Sequence, residues 1–360
     1  MGGSSDGGST GQFNPQGGGT TQPGCDTTPT ADKDQDGVTL ADGDCNDCDP
    51  NVGPGAIEVI ADGEGTGGGG GYVPVDEDCD GEADNVAPPC DGTLDMIGTD
   101  PYDGARAIEL CKVAMNDVEW GLLNAQWVRA NGTPATVNAQ MGILPDFGPN
   151  VHPRAGGRML GISSGTARDA TDPGFMAHSW SANGPGTAPP GYPQDVPNCP
   201  VSTVINDDVA LELAVRSPKN ATGYHFDFKF YSNEYPEFVC TTFNDQFIAL
   251  VNPPPMGANN GNISFDSMGN PVSVNIAFFD VCQSCVLGIA ELEGTDFTPD
   301  DGGTSWLQTS APITGGDTFS IRFAIWDVGD SAWDSTTLID NFEWVANGGT
   351  VTVGTTPVPE

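Results

Sequence analysis

Positive charge is what this sequence has least of: 11 Lys and Arg stand against 50 Asp and Glu, for a formal net charge of −39. A polyphosphate partner needs clustered cations, so nucleic acid is excluded as a ligand. The shortage is worst in the first third, where Lys33 is the only basic residue before Arg106. Long apolar runs are also missing. None approaches the roughly 20 residues that cross a bilayer as a helix, and the closing Thr-Pro-Val-Pro-Glu360 carries no hydrophobic anchor. Met1-Gly-Gly-Ser-Ser has neither the basic start nor the apolar stretch of a secretory leader, so any leader has been removed or was never included. Histidine is scarce too: His152 and His178 lie in expected loops without ligand-spaced partners, and His225 sits in an expected strand, which argues against zinc or a catalytic triad.

Glycine (50), proline (30) and ten cysteines are what is abundant. An even cysteine count in an acidic, glycine-rich chain fits disulfides formed in an oxidising compartment, hence an extracellular or cell-surface location. Residues 1–30 have the Gly/Ser/Thr composition of a disordered linker. Residues 31–90 are acidic and poor in aliphatics, and the Gly65 to Gly71 run holds no fixed shape by itself, so this module cannot fold by apolar burial. After Cys90 the pattern changes. Asp103 to Asn116, with Ala107, Ile108, Cys111 and Met115 at helical spacing, predicts one short helix. Trp120 to Ala130, Arg158 to Ser163, Tyr224 to Tyr231, Gln246 to Val251, Val272 to Phe278, Thr318 to Trp326 and Thr336 to Trp344 predict strands. Tyr224, Phe226, Phe228 and Phe230 alternate along one of them and mark a core face. Many short strands with turn residues between them imply a mainly β fold, an antiparallel jelly-roll-like β-sandwich over 91–346, with 347–360 as a tail.

Two segments of the acidic module repeat one spacing. Asp32-Lys-Asp34-Gln-Asp36-Gly37 and Asp76-Glu-Asp78-Cys-Asp80-Gly81 set carboxylates at alternate positions before a glycine, and Asp84 follows the second. Ca²⁺ takes roughly six to eight oxygens, and side chains at alternate loop positions converge on it when the sixth residue can turn sharply. Backbone oxygens of Val38 and Glu82 are expected to complete the turns, with Asp42, Asp44 and Asp47 as further ligands. Neither loop has the distal Glu or the flanking helices of an EF-hand, so that geometry is excluded. The missing His and the use of thiols in disulfides disfavour a transition metal.

With Gly43-Asp44-Cys45-Asn46-Asp47 and Pro54-Gly55-Ala56-Ile57-Glu58, the pattern over 31–85 resembles bacterial metal-binding repeats of the MopE type, themselves similar to thrombospondin type 3 calcium repeats. The resemblance implies Ca²⁺ as the cofactor. It departs at Ile60, where such repeats often have Cys, with Cys48 a candidate substitute, and in the Gly65–Gly71 insertion.

A second constellation lies where strands run out into acids: Glu234 and Asp245 in one segment, and Asp327, Asp330 and Asp334 in another, with Asp340 and Asn341 behind them. These are expected to gather as a second calcium site. The two segments, with Gly142 to Asn150 and Gly161 to Ala167, resemble the choice-of-anchor L domain of bacterial exported proteins over about 94–345. That resemblance implies display outside the cell and no known activity.

Enzyme signals are weak. Gly161-Ile-Ser163-Ser-Gly165 matches a nucleophile elbow, yet no helix pattern follows it. Cys282-Gln-Ser-Cys285 fits a local disulfide between strands, and Cys199 and Cys240 are candidates for another. Glu234 and Glu237 near aromatics leave a carbohydrate-active or other hydrolytic enzyme as the alternative class. The favoured expectation is a non-catalytic calcium-binding surface protein. Its ligand would be a polysaccharide or another surface protein, and self-association, as in a filament subunit, is a third reading.

Overall fold

The computed structural model describes residues 28–60, 74–116, 118–136, 139–177, 181–200, 202–276, 278–346 and 349–359. The expected linker before residue 28, the Gly65–Gly71 run and His178 lie outside the described residues. The chain divides into two compact units, Met1–Val86 with Ala346–Gly348, and Ala87–Val345 with Gly349–Glu360.

The first unit has little regular structure beyond a short 3₁₀ turn at Leu40–Asp42. The Cys45–Cys79 disulfide joins its two acidic segments, and Cys48 is disulfide-bonded as well. Val52 and Ala56 are among its few buried aliphatic side chains, as a sequence so poor in aliphatics requires.

The second unit is a sandwich of two antiparallel sheets. Its strands are β1 (Gly121–Val128), β2 (Met141–Leu144), β3 (Met159–Ser163), β4 (Ile205–Arg216), β5 (Gly223–Ser232), β6 (Gln246–Asn252), β7 (Val272–Ser273), β8 (Phe279–Val281), β9 (Gly302–Thr304), β10 (Leu307–Pro312), β11 (Thr318–Val328), β12 (Ser335–Val345) and β13 (Gly354–Pro357). One sheet runs β1-β4-β11-β6-β7 and the other β13-β10-β5-β12-β3-β2, with β9 joining β8 to β5. Period-two alternation puts Leu211, Leu213, Ile321 and Phe323 of the first sheet against Phe226, Phe228 and Ile339 of the second in one core. The aromatic ridge of β5 is fully part of it, and Phe226 meets Phe323 edge-to-face at 4.9 Å. The outer faces are also covered. Tyr192 packs on Trp326 over the first sheet, and Phe147, Phe297 and Trp306 cover Tyr231 of the second. Among the described residues no helix is long and apolar enough to cross a membrane.

The strand readings hold except at Val272 to Phe278, where only Val272 and Ser273 pair. The long central strand β4 was not expected, because its Ile-Asn-Asp-Asp opening hides the alternation of Val209, Leu211, Leu213 and Val215. The helix is shorter than its periodicity predicts and starts earlier, at Pro101–Arg106. Asp100 caps it by accepting from the Tyr102 amide, with Pro101 in the first turn, where its missing N–H costs nothing. It cannot continue to Asn116, because Glu109 takes φ +70° and Cys111 is bonded to Cys90; Met115 is exposed. Cys199–Cys240 and Cys282–Cys285 form as expected, although the latter closes a turn after β8 instead of joining strands.

Removing the Phe226 ring, which is wholly buried, should cost about 3–5 kcal/mol. Phe226→Ala is therefore expected to lower the urea midpoint of the sandwich strongly, while Met256→Ala at an exposed position should stay within about 0.5 kcal/mol. Equal effects of the two would contradict this core.

Candidate metal centres

The two acidic loops fold alike. In the first, the Gly37 amide donates to Asp32 Oδ2 at 3.0 Å, Asp36 to Asp34 Oδ1 at 3.1 Å and Val38 to Asp36 Oδ1 at 2.7 Å. In the second, Gly81 donates to Asp76 Oδ2 at 2.9 Å, Asp80 to Asp78 Oδ1 at 3.1 Å and Glu82 to Asp80 Oδ1 at 2.8 Å. Gly37 and Gly81 have φ of +91° and +98°, which an L side chain adopts only under strain. The repeated spacing is thus a repeated fold, with alternate carboxylates accepting from the loop's own amides.

Oxygens within 4.8 Å of one another, close enough to share an ion, come from Asp32, Asp34 and Asp36, and from Asp34, Asp44 and Asp47. The second loop supplies Glu58, Asp76 and Asp78, and then Glu58, Glu77 and Asp84. Asp34 Oδ2 and Asp47 Oδ2 are buried and accept no hydrogen bond. Burial, followed by like charge from Asp36, Asp44 and Asp32, pushes the Asp34 carboxyl up to about 6. Burial and neighbouring Glu58 raise Glu77 to about 7. Of the expected ligands, Asp42 stands apart, accepting from the Thr39 hydroxyl at 2.7 Å, and Asp80 Oδ2 is taken by Asn85. Glu58 and Glu77 were not among the expected ligands. Glu58 reaches back to accept from the Asp78 and Asp84 amides at 3.2 and 2.6 Å.

The acids of the sandwich gather at one end of the core, where β6 begins and β5 and β11 end and where the turn before β12 brings in Asp334. Asp245 lies two residues before core Phe247, Glu234 four after Phe230, Asp327 two after Ile325 across a bulge, and Ser335 four before Ile339. Polar side chains thus take over where the apolar rows stop. Glu234, Asp245, Asp327 and Asp334 are 2%, 0%, 1% and 4% exposed, so the charges are withdrawn from water. Asp245 accepts from the Val328 amide at 2.9 Å and the Ser335 hydroxyl at 2.7 Å. Both oxygens of Asp327 and both of Asp334 are buried and accept no hydrogen bond. The nearby Ser164 hydroxyl is turned to the Ser335 carbonyl at 3.3 Å. A Cβ on Gly165 would fall 1.7 Å from Asp334 Oδ2, so only glycine admits that carboxylate.

Burial raises all four carboxyls above the ordinary carboxylate range; the charge of Asp245 comes second at Glu234, Asp327 and Asp334, while the Ser335 and Val328 hydrogen bonds partly offset burial at Asp245. Asp330 adds to the repulsion on Glu234, Asp245 and Asp334, while its side chain turns to the Ala332 amide at 3.0 Å. Asp207, absent from the sequence-based set, adds to it at Asp327 and Asp334; its Asp-Asp doublet at the start of an apolar strand is the signal that could have found it. No described Lys, Arg or His pairs with any of the four. The basic groups are engaged elsewhere, as in Arg154–Asp227 and Lys229–Glu291. Asp340 is not in this cluster: it accepts from the Arg154, Ala155 and Asn341 amides.

The elbow-like Ser163 is buried and donates to the Ser335 carbonyl at 3.0 Å. Glu237 is exposed while Glu234 is buried, and His225 Nε2 faces Glu343 at 3.3 Å.

The sequence model of the choice-of-anchor L domain matches residues 194–342, within the segment that resembled it. No curated protein matches the chain. Among solved structures, TmCBM61 in complex with beta-1,4-galactotriose is similar at 10% identity and TM-score 0.22, covering 62% of this chain and 90% of that one. Bacteriophage CBA120 tailspike protein 4 gives 8% identity and TM-score 0.21 over 64% of this chain and 20% of its own. Beta-glucosidase from Kluyveromyces marxianus gives 12% and 0.17 over 38% and 11%. At these scores the likenesses carry no argument about function.

Acids whose folded pKa is raised hold their proton longer folded than unfolded. Their stabilisation is complete below about pH 4, the unfolded carboxylate value, and is lost as the pH rises through the folded values. Asp340, raised to about 7 mainly by burial, and Glu109, raised to about 7 by burial and then Asp91, act in the same direction. In chelator, the melting temperature of the sandwich is therefore expected to fall between about pH 5 and 9. A rise over that interval in calorimetry would contradict the electrostatics described.

Proposed function

We propose that this chain is a non-catalytic, exported surface protein whose acidic module is made rigid by Ca²⁺ and whose sandwich carries a binding or adhesive role. The observation that bears most on this reading is the pair of loops with one hydrogen-bond geometry, each with three carboxylates brought together, Asp32, Asp34 and Asp36 in the first and Asp76 and Asp78 with Glu58 in the second. All donors are oxygen, which suits a hard cation, and two of them, Asp34 Oδ2 and Asp47 Oδ2, are buried without a proton donor. An ion bound only by the folded loops stabilises them by mass action. The match to a choice-of-anchor L domain supports placement outside the cell, as do disulfides that leave no described cysteine free.

An open groove on the outer face of the first sheet, lined by Glu212, Asn252, Asn260, Ser320 and Arg322 over Leu250 and Val251, offers polar contacts suited to a polysaccharide ligand. Glu234 and Glu237 do not share one environment: Glu237 is exposed, while burial, and then Asp245, holds the Glu234 carboxyl well above the ordinary range.

Calorimetric melting with and without chelator tests the reading. At free Ca²⁺ one hundred times Kd, the first unit should gain about 2.7 kcal/mol, and combined Asp34→Ala and Asp78→Ala should abolish the gain. Unchanged melting in EDTA would overturn it. Polysaccharide turnover abolished by Glu237→Gln would overturn the non-catalytic part separately.

A further inference from the structure

We propose that the buried pocket of Glu234, Asp245, Asp327 and Asp334 is a calcium site that clamps the two sheets of the sandwich together. It involves no residue of the acidic loops, and neither assignment needs the other. The donors come from both sheets: Asp245 and Asp327 from the ends of β6 and β11, Glu234 and Asp334 from the ends of β5 and β12. An ion among them would add to the polar ties that already cross between the sheets at this end, as from the Ser335 hydroxyl to Asp245.

Four carboxylates in this space need a counter-charge, since each buried ion costs several kcal/mol and no described cationic side chain pairs with them. Protons alone are an incomplete remedy. They remove charge, but Asp334 keeps two buried oxygens without a hydrogen-bond partner, and both Asp245 oxygens are already used by Val328 and Ser335. A cation would give the four unpartnered oxygens of Asp327 and Asp334 a partner, and it would draw the carboxylates inward, since no three of these acids offer oxygens within 4.8 Å of one another as they stand. The donors are carboxylates and hydroxyls with no nitrogen or sulfur, which excludes a soft metal, and they are delivered by four separate chain segments. Such an irregular shell suits Ca²⁺, which accepts roughly six to eight oxygens at variable angles, better than Mg²⁺, which demands a near-ideal octahedron. The bare glycine at 165 leaves the room that Asp334 occupies.

Tryptophan reports on this site because Trp326 and Trp333 adjoin Asp327 and Asp334 in sequence, and the loop substitutions separate any signal from the acidic module. Tb³⁺, a luminescent stand-in for Ca²⁺, is titrated into the chelator-stripped full chain under tryptophan excitation. Sensitised emission is expected to saturate, to be displaced by Ca²⁺, and to persist in the Asp34→Ala/Asp78→Ala chain. Asp327→Asn should weaken it roughly ten-fold or more, and so should Gly165→Ala, whose methyl displaces the Asp334 carboxylate. Absence of sensitised emission from the unmodified chain overturns the site, an arm that needs no variant to fold. So does emission that survives in folded Asp327→Asn or Gly165→Ala, or that vanishes with the loop substitutions alone.

Discussion

Carboxylates without cations are the constraint around which this molecule is built. A charge of −39 on a surface alone would be a matter of solubility, since exposed like charges are screened by water and salt. Here the acids are instead gathered, at the two loops of the first unit and in one end of the sandwich, where screening is weak and repulsion is strong. Asp34, Glu77 and the four sandwich acids all titrate above their ordinary range, with burial the leading cause. A fold that gathers such groups must hold protons there or a metal ion. The oxygen-only donor sets favour calcium.

The disulfides address a different weakness. The first unit has almost no aliphatic core, and the Cys45–Cys79 bond fixes its two acidic segments to each other, reducing the entropy that ordering them would otherwise cost. In the sandwich, where apolar packing suffices, Cys90–Cys111 and Cys199–Cys240 tie loops. Cross-links and gathered carboxylates are thus complementary: one limits the unfolded chain, the other supplies a site that only the folded chain presents.

Much of this was legible in the sequence for physical reasons. Alternate acids before a glycine encode both the loop's own hydrogen bonds and the left-handed backbone at Gly37 and Gly81, so the loops could be read locally. The aromatic ridge of β5 is equally local. The sandwich acids were legible because hydrophobic strands run out into them. What failed was non-local. Glu58 joins the second loop from a segment before the glycine-rich run, and Glu77, between Asp76 and Asp78, accepts from the Val59 amide; the alternate-acid spacing reveals neither. Asp207 belongs to β4, a strand whose polar opening concealed it. The helix was misplaced because periodicity at Ala107, Ile108 and Cys111 records burial, and the disulfide and the left-handed Glu109 produce that burial without a helix.

Calorimetric titration of the chelator-stripped full chain with Ca²⁺, repeated in buffers of different ionisation heat, bears most directly on the central claim. The account predicts saturable binding at more than one site, with protons released to the buffer at neutral pH as the raised carboxyls give way to the ion. A native chain that takes up no calcium and releases no protons would contradict it.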